Sequence, residues 1–243
     1  MKNMFVFAAI AAAVCLSPTV LRADNDTLPV PAFPLDAAGR IEISGAGSTA
    51  LTRQELMART KAWVYDHFEE ASIEENPSSG TVKATGSFLI AEEEREDLSV
   101  AMEIMDYTVT VVCDDFRYAY GIDDVGAFVA TAVPVTVAAA PEENRYEIVD
   151  SMYISMPGDY VVLMDDAYAE RARLRGELEQ MLATDISNLG RNKLRRYEQE
   201  LQKTADWFGA TDDYYRLVRA NYMACYDHLT GLASSLEAAL AGE

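Results

Sequence analysis

The chain has 243 residues, half of them hydrophobic, and can therefore bury a full core as one large domain or as a domain with an extension. Its 40 Asp and Glu residues outnumber its 20 Lys and Arg residues, which gives a formal net charge of −20. This excess of acid argues against nucleic acid as a partner, because phosphate contacts require clustered Lys and Arg, and it also argues against an anionic membrane surface.

The start of the chain has the composition of an export signal. Lys2 precedes an apolar run over residues 4–16, which is too short and wrongly flanked for a membrane span. We expect residues 1–23 to be a signal peptide that is removed and residues 24–32 to be a tether. The protein would then lie in the periplasm or cell envelope, and would not be an integral membrane protein. A lipid anchor at Cys15 is the alternative.

The next region predicts a small sheet and the helix that covers it. A turn into a first strand is expected at Gly39 to Ile43, and the small residues from Ser44 to Thr49 are expected to form a flexible connector. They lack the Lys of a phosphate-binding loop. A capping box, Thr52 with Glu55, begins a helix predicted to run from Leu51 to Ala71. Its apolar residues recur every three or four positions, as expected of a helix lying on a sheet.

Period-two alternation predicts the strands that follow. Thr81 to Ile90 forms one strand, and Tyr107 to Cys113 forms another. The alternation stops at Asp114 and Asp115 and resumes from Phe116 to Ile122, so the acidic pair is predicted to be the tight turn of a hairpin. The order of strands and helix indicates an α+β fold with an antiparallel sheet covered on one face by the N-terminal amphipathic helix.

A second hairpin and a helical region complete the chain. Apolar, β-branched residues from Phe128 to Ala139 and alternating residues from Tyr146 to Ile154 predict two more strands, and Pro134 favours an edge position. Helical periodicity follows, and Gly190 and Gly209 are predicted to separate three long amphipathic helices. These helices could form a bundle and could mediate self-association.

Several short motifs occur together between about residues 30 and 125. They are Phe33 to Ile43, Ala62-Trp63, Gly80-Thr81-Val82, Gly86, Tyr107-Thr108-Val109, and Asp114 to Tyr118. In this combination the chain resembles a family of small exported proteins of unknown function from Bacteroides-type bacteria, which has a TBP-like fold. The resemblance implies a TBP-like α+β domain, for which we expect residues 33–160. A helical extension of two or three long helices is expected at 161–243, beyond the region that resembles the family. The resemblance implies no DNA binding and no assigned catalytic residue.

The search for catalytic, cofactor and metal residues yields no assignment. His67 and His228 lie on predicted helices without a nucleophile or metal-ligand spacing nearby, so packing or surface roles are expected. Three acidic pairs could bind a hard cation, but they lack the EF-hand spacing and acidic pairs at turns are commonly solvated. They are Asp114-Asp115, Asp123-Asp124 and Asp165-Asp166. We therefore expect no cofactor and no metal.

Three further features were weighed. Cys113 and Cys225, the cysteines that remain after removal of the signal, could form a disulfide or be free core residues. A basic group could form ion pairs with interleaved glutamates, dock the acidic sheet domain or bind an anionic glycan; it comprises Arg171, Arg173, Arg175, Arg191, Lys193, Arg195 and Arg196. Four tyrosines, Tyr118, Tyr120, Tyr214 and Tyr215, could line a ligand surface.

Two functions stay open from the sequence. One is a non-catalytic exported envelope protein that binds a protein or a glycan or other ligand through its sheet or its helices. The alternative is an exported hydrolase that uses paired carboxylates on a glycan or peptide.

Overall fold

A computed structural model describes residues 30–68, 72–94, 99–135 and 145–241. The predicted signal peptide at 1–23 and most of the predicted tether therefore lie outside the described residues. In chain order the elements are β1 (Ile43–Ser48), α1 (Arg53–His67), β2 (Ser72–Asn76), β3 (Thr81–Glu94), β4 (Val100–Asp114), β5 (Arg117–Val135), β6 (Arg145–Ile154), α2 (Gly158–Leu182) and α3 (Arg191–Ala241). None of the described helices is long and apolar enough to cross a membrane.

The strands form one six-stranded antiparallel sheet, which confirms the predicted α+β class. Its order is β1-β5-β4-β3-β2, and β6 pairs with the second half of β5. The central strand β5 is a single 19-residue element, so the two separate strands predicted within it are one. Asp124, with a φ of 51°, lies at the irregular register that lets this long strand continue.

The β4–β5 hairpin is confirmed, with its turn one residue later than predicted. The turn residues are Asp115 and Phe116, and Phe116 has a φ of 67° and an exposed side chain. Phe116, from which the alternation was predicted to resume, therefore lies in the turn, whereas Tyr118 and Tyr120 are buried in β5. The second hairpin is also present, since β6 pairs with residues 127–135. Pro134 lies beyond Ala132, the last β5 residue that pairs with β4.

The small residues after Ile43 are a strand and not the predicted flexible connector. Gly45 pairs with Tyr120 and Gly47 with Tyr118 across β1 and β5. A Cβ atom at Gly45 would lie 2.5 Å from Tyr120 Cε1, so the tyrosine ring covers the place of a side chain. The turn into a first strand predicted at Gly39 to Ile43 is present, since Ile41 bridges to Leu35 and β1 begins at Ile43.

Helix α1 confirms the predicted capping box. Thr52 is the N-cap, and the Thr52 backbone N–H donates to Glu55 Oε2 at 2.8 Å. The helix ends at His67, before the predicted Ala71, because Phe68 is in the extended conformation. Its buried face lies on the sheet, where Thr60 Oγ1 is 3.9 Å from Cys113 Sγ.

The C-terminal extension has two helices, the smaller number of the two or three expected. The second and third predicted helices are one 51-residue helix, α3, and Gly209 lies inside it. A single glycine costs a helix about 1 kcal/mol relative to alanine, which the good helix formers on both sides offset. Helix α2 ends at Leu182, and Leu189, predicted to be helical, lies in the connection before α3.

The chain divides into two compact units. The sheet unit contains Pro31–Val161 and Ala220–Glu243, and the helical unit contains Val162–Arg219. The last part of α3 thus belongs to the sheet unit, where Trp63 Nε1 donates to Ser235 Oγ at 2.9 Å. In the helical unit, a cluster of Leu174, Leu178, Leu201 and Phe208 forms a core between α2 and α3.

Candidate functional site

The first acidic pair, Asp114 and Asp115, connects the β4–β5 hairpin to α1 by hydrogen bonds. Asp114 accepts hydrogen bonds from the guanidinium groups of Arg53, at 2.8 Å, and Arg117, at 3.0 Å. These bonds hold the pKa of Asp114 well below its usual range. Asp115 accepts from the backbone N–H of Arg53 at 2.9 Å, which stabilises the start of α1. The pair therefore has a structural role.

The other acidic pairs occupy unrelated places. Asp123 lies in β5, where burial raises its pKa, whereas Asp165 and Asp166 are exposed on α2. Among the described residues no group of three or more His, Cys, Asp or Glu side chains could hold a metal ion. A glycosidase mechanism needs two carboxylates that face each other across a substrate, and none of these pairs is placed in that way within the described chain.

The two histidines pack against aromatic rings in the sheet unit. The His228 ring stacks on Phe88 at a centroid distance of 4.0 Å, and His228 Nε2 lies 3.0 Å from Tyr107 Oη. Burial lowers the pKa of His228 to about 4, so the ring is neutral at physiological pH. His67 stacks on Trp63 and its Nδ1 donates to the Trp63 carbonyl at 2.9 Å.

The two cysteines are buried and free, Cys113 on β4 and Cys225 on α3. Of the two alternatives weighed from the sequence, the structure therefore has free thiols rather than a disulfide. Burial raises the pKa of both thiols, that of Cys225 to about 12, so neither is a reactive thiolate.

The predicted basic group separates into two parts. On α2, Arg173 donates to Glu170 at 2.7 Å and also pairs with Glu177, as expected for helix-surface ion pairs, and Arg171 pairs with Asp212 of α3. The other four are exposed in the first turns of α3: Arg191, Lys193, Arg195 and Arg196.

The predicted tyrosine surface is not a single surface. Tyr118 and Tyr120 are buried in the sheet unit, where Tyr120 Oη donates to Glu237 at 2.7 Å. Tyr214 and Tyr215 lie in the helical unit, the first exposed and the second buried. The sequence did not distinguish these environments, because both pairs occupy apolar positions in their elements.

The feature that sequence reasoning missed is the exposure of β6. Four apolar side chains of this strand, Ile148, Val149, Met152 and Tyr153, are between 51% and 69% exposed. These four side chains are distributed over both faces of β6. Among the described strands, β6 pairs only with β5, so its other edge has no partner strand there. A ten-residue strand that exposes apolar side chains and pairs on one side among the described strands is a template for pairing with another chain.

The other open edges of the sheet carry different chemistry. β2 has five residues, Ser72–Asn76, and its Glu75 pairs with Lys61 at 2.9 Å. β1 presents serine, alanine and glycine, whose small side chains offer little apolar area. Short and charged edges resist strand addition. β6 exposes four large apolar side chains, whereas the stretch of β3 beyond Thr85, where pairing with β2 ends, exposes one, Leu89.

Charge is unevenly distributed between the two units. The sheet unit contains 27 Asp and Glu against 8 Lys and Arg, whereas the helical unit contains 11 acidic and 10 basic residues. Residues 142–150, in and before β6, include four acidic residues and one basic residue. They are Glu142, Glu143, Glu147 and Asp150, with Arg145. The candidate edge therefore belongs to a strongly acidic unit.

Comparison with known proteins gives two similar solved structures. The first, a DUF4468 family protein from Bacteroides ovatus, is 15% identical with a TM-score of 0.33 and covers 51% of this chain and 70% of its own. The second, a TBP-like protein from Parabacteroides distasonis, is 12% identical with a TM-score of 0.33 and covers 75% of this chain and 96% of its own.

No protein-family model matches the chain, and no curated protein matches it. The sequence resemblance to a Bacteroides-type family of unknown function with a TBP-like fold therefore stays a prediction. With identities and TM-scores this low, neither structure establishes a family or an activity for this chain.

Proposed function

We propose that the chain is a non-catalytic exported protein that binds an extended segment of another protein along β6. The observation that carries this proposal is the open edge of β6 with its four exposed apolar side chains. An added strand would take its main-chain hydrogen bonds from the free edge of β6, and its alternate side chains would cover the apolar ones on each face.

The size of the apolar surface fits a reversible complex. Covering the exposed parts of Ile148, Val149, Met152 and Tyr153 would contribute on the order of 4 kcal/mol, at about 1 kcal/mol for each half-exposed side chain. Main-chain hydrogen bonds would add to this, while ordering of the bound segment would oppose it. We therefore expect micromolar rather than nanomolar affinity for a single strand.

The charge of the sheet unit indicates the chemistry of the partner. A unit with 27 acidic and 8 basic residues attracts cationic chains and repels another copy of itself. The partner segment should therefore alternate apolar residues with Lys or Arg, and its association should weaken as salt increases.

Site-specific photo-crosslinking in the producing cell tests the proposal. A photoreactive phenylalanine analogue at Tyr153 should capture one partner, whereas the same analogue at Tyr65 on α1 should not. The two tyrosines are matched, being 69% and 70% exposed. The crosslinked partner peptide should be basic, and it should be lost when Ile148 and Met152 are both changed to Lys.

Two results would contradict this function: equal capture at both positions, or a crosslinked peptide that is acidic. Export is tested separately by sequencing the N-terminus of the purified protein. We expect it to begin at Asp24, after removal of residues 1–23, and we expect Cys15→Ser to leave this processing unchanged.

A further inference from the structure

The helical unit also has an exposed apolar surface, which lies on α3. It consists of Trp207, Ala210, Tyr214 and Leu217, spaced three, four and three residues apart. The three large side chains are between 43% and 53% exposed. We call these four residues the α3 stripe.

The α3 stripe is distinct from the face by which α3 packs within its own unit. Phe208, Tyr215 and Val218 are buried, and Phe208 belongs to the core that α2 and α3 share. The guanidinium of Arg173 on α2 lies over the Trp207 ring, 5.9 Å from its centroid, and the Trp207 side chain is still 53% exposed. Helix α3 therefore uses one apolar face inside the unit and presents a second, with heptad spacing, to the outside.

We infer that the α3 stripe binds a second copy of this chain, with the two α3 helices antiparallel and a two-fold axis near Asp212. Residues at equal distances from the axis then meet. Trp207 packs against Leu217 of the second copy, and Ala210 packs against Tyr214 of the second copy. Each layer joins a larger residue with a smaller one, which allows the side chains to interdigitate, and a two-fold axis repeats each layer.

The α3 stripe and the β6 edge belong to units that differ in net charge. The helical unit has 10 basic and 11 acidic residues, so two copies of it meet without the net repulsion expected of two sheet units. One local feature opposes pairing, because Asp213 lies beside Tyr214 near the axis and would approach its own copy. Asp213→Asn should therefore tighten the dimer, and the gain should shrink at high salt.

Sedimentation equilibrium of the full chain tests the association. We expect a monomer–dimer equilibrium in which Leu217→Arg raises the dissociation constant at least 10-fold. Val162→Arg is the matched control, since Val162 is 56% exposed on α2 and Leu217 is 53% exposed on α3. We expect a dimer dissociation constant on the order of 10 µM. A wild-type chain that stays monomeric at about 100 µM, roughly ten times that value, would overturn the inference.

Cysteine crosslinking tests the antiparallel register. Ala210→Cys with Tyr214→Cys in one chain should give disulfide-linked dimers, because position 210 of one copy faces position 214 of the other. Ala210→Cys alone should crosslink poorly, since two copies of that position lie four residues apart, which is about 6 Å along a helix. Efficient linkage through position 210 alone would indicate parallel helices and would contradict the proposed axis.

The two proposals fail independently. Ile148→Lys with Met152→Lys should abolish partner capture at β6 and leave the dimer intact. Leu217→Arg should do the reverse. Loss of the dimer in the β6 variant would place the self-association at the sheet edge and would overturn the assignment of the α3 stripe.

Discussion

Gly80 shows how one residue without a side chain fixes the turn that leads into β3. Its φ is 71°, and its carbonyl accepts a hydrogen bond from the backbone N–H of Cys113 at 2.8 Å. A Cβ atom on Gly80 would lie 2.0 Å from the Cys113 carbonyl oxygen. Position 80 therefore excludes a side chain for two reasons, its backbone conformation and its contact with β4.

Replacement of Gly80 should cost more than replacement of a glycine with the same backbone conformation alone. Gly39 has a φ of 79°, and a Cβ atom there would meet nothing within 4 Å. Gly39→Ala should lower the free energy of unfolding by about 1 kcal/mol through its φ. Gly80→Ala should lower it by roughly 3 kcal/mol, because backbone must move as well. Equal losses in urea denaturation would show that the contact with Cys113 has no effect.

His228 should make the stability of the sheet unit depend on pH. Burial lowers its pKa from 6.5 to about 4, while Tyr107, Phe88 and His67 are the groups nearest to it on β4, β3 and α1. The unfolded chain binds a proton near pH 6.5 and the folded chain does not, so the contribution of the neutral ring is complete above pH 6.5 and is lost as pH falls through about 4.

The measurement compares wild type with His228→Gln. Between pH 6.5 and pH 4 the wild-type free energy of unfolding should fall more steeply than that of the variant, since the variant has no ring to protonate. Subtracting the free energy of unfolding of the variant from that of the wild type cancels the contribution of the carboxylates, because they titrate in both proteins. Identical slopes in the two proteins would exclude His228 as the titrating group.

At the scale of the elements, the continuity of α3 through Gly209 gives a test whose sign depends on the structure. A Cβ atom at Gly209 would meet nothing within 4 Å, so Gly209→Ala should raise the free energy of unfolding by up to about 1 kcal/mol. A helix that ended at Gly209 in the left-handed conformation would instead be destabilised by a similar amount. Gly231→Ala, inside the same helix and equally unhindered, is the control and should also stabilise.

The elements that the sequence predicted well are those specified by residues close together in the chain. The Thr52 and Glu55 side chains determine the start of α1 within one turn, and the alternation from Tyr107 to Cys113 determines a strand whatever its neighbours are. The prediction of a flexible connector at 44–49 failed because the residue that requires glycine at position 45 lies on another strand. Only the ring of Tyr120, 75 positions later, explains a glycine there.

The candidate site illustrates the same limit. Alternation predicted β6 as a strand, and that prediction is confirmed. Whether Met152 and Tyr153 are core residues or exposed ones depends on what lies against β6, and an apolar strand pattern does not specify this. In the same way, the spacing of Trp207 and Leu217 is that of a core face, and only the burial of Phe208 and Tyr215 shows that α3 has two apolar faces.

At the scale of the whole molecule, the uneven charge should control the response to salt. The sheet unit carries 27 acidic and 8 basic residues, and its self-repulsion opposes folding. Raising ionic strength from 0.01 M to 0.15 M shortens the screening length from about 30 Å to about 8 Å. Ion pairs such as Arg53–Asp114 weaken under the same change, but exposed pairs contribute only about 0–1 kcal/mol each. Repulsion should therefore dominate, and added NaCl should stabilise the protein.

We expect the thermal midpoint to rise by about 2–4 °C over this range of salt, which corresponds to roughly 1 kcal/mol in a chain of this size. Two sets of exposed glutamates, each changed to Gln, locate the effect. The sheet set is Glu74, Glu92 and Glu93, and the helical set is Glu179, Glu198 and Glu200. The sheet set should raise the midpoint at low salt and reduce its dependence on NaCl, because it removes charge where the excess lies. The helical set should not, because the positive and negative charges of that unit already balance. Equal effects of the two sets would show that the excess acid of the sheet unit does not limit its stability, and would remove the electrostatic reason for expecting a basic partner at β6.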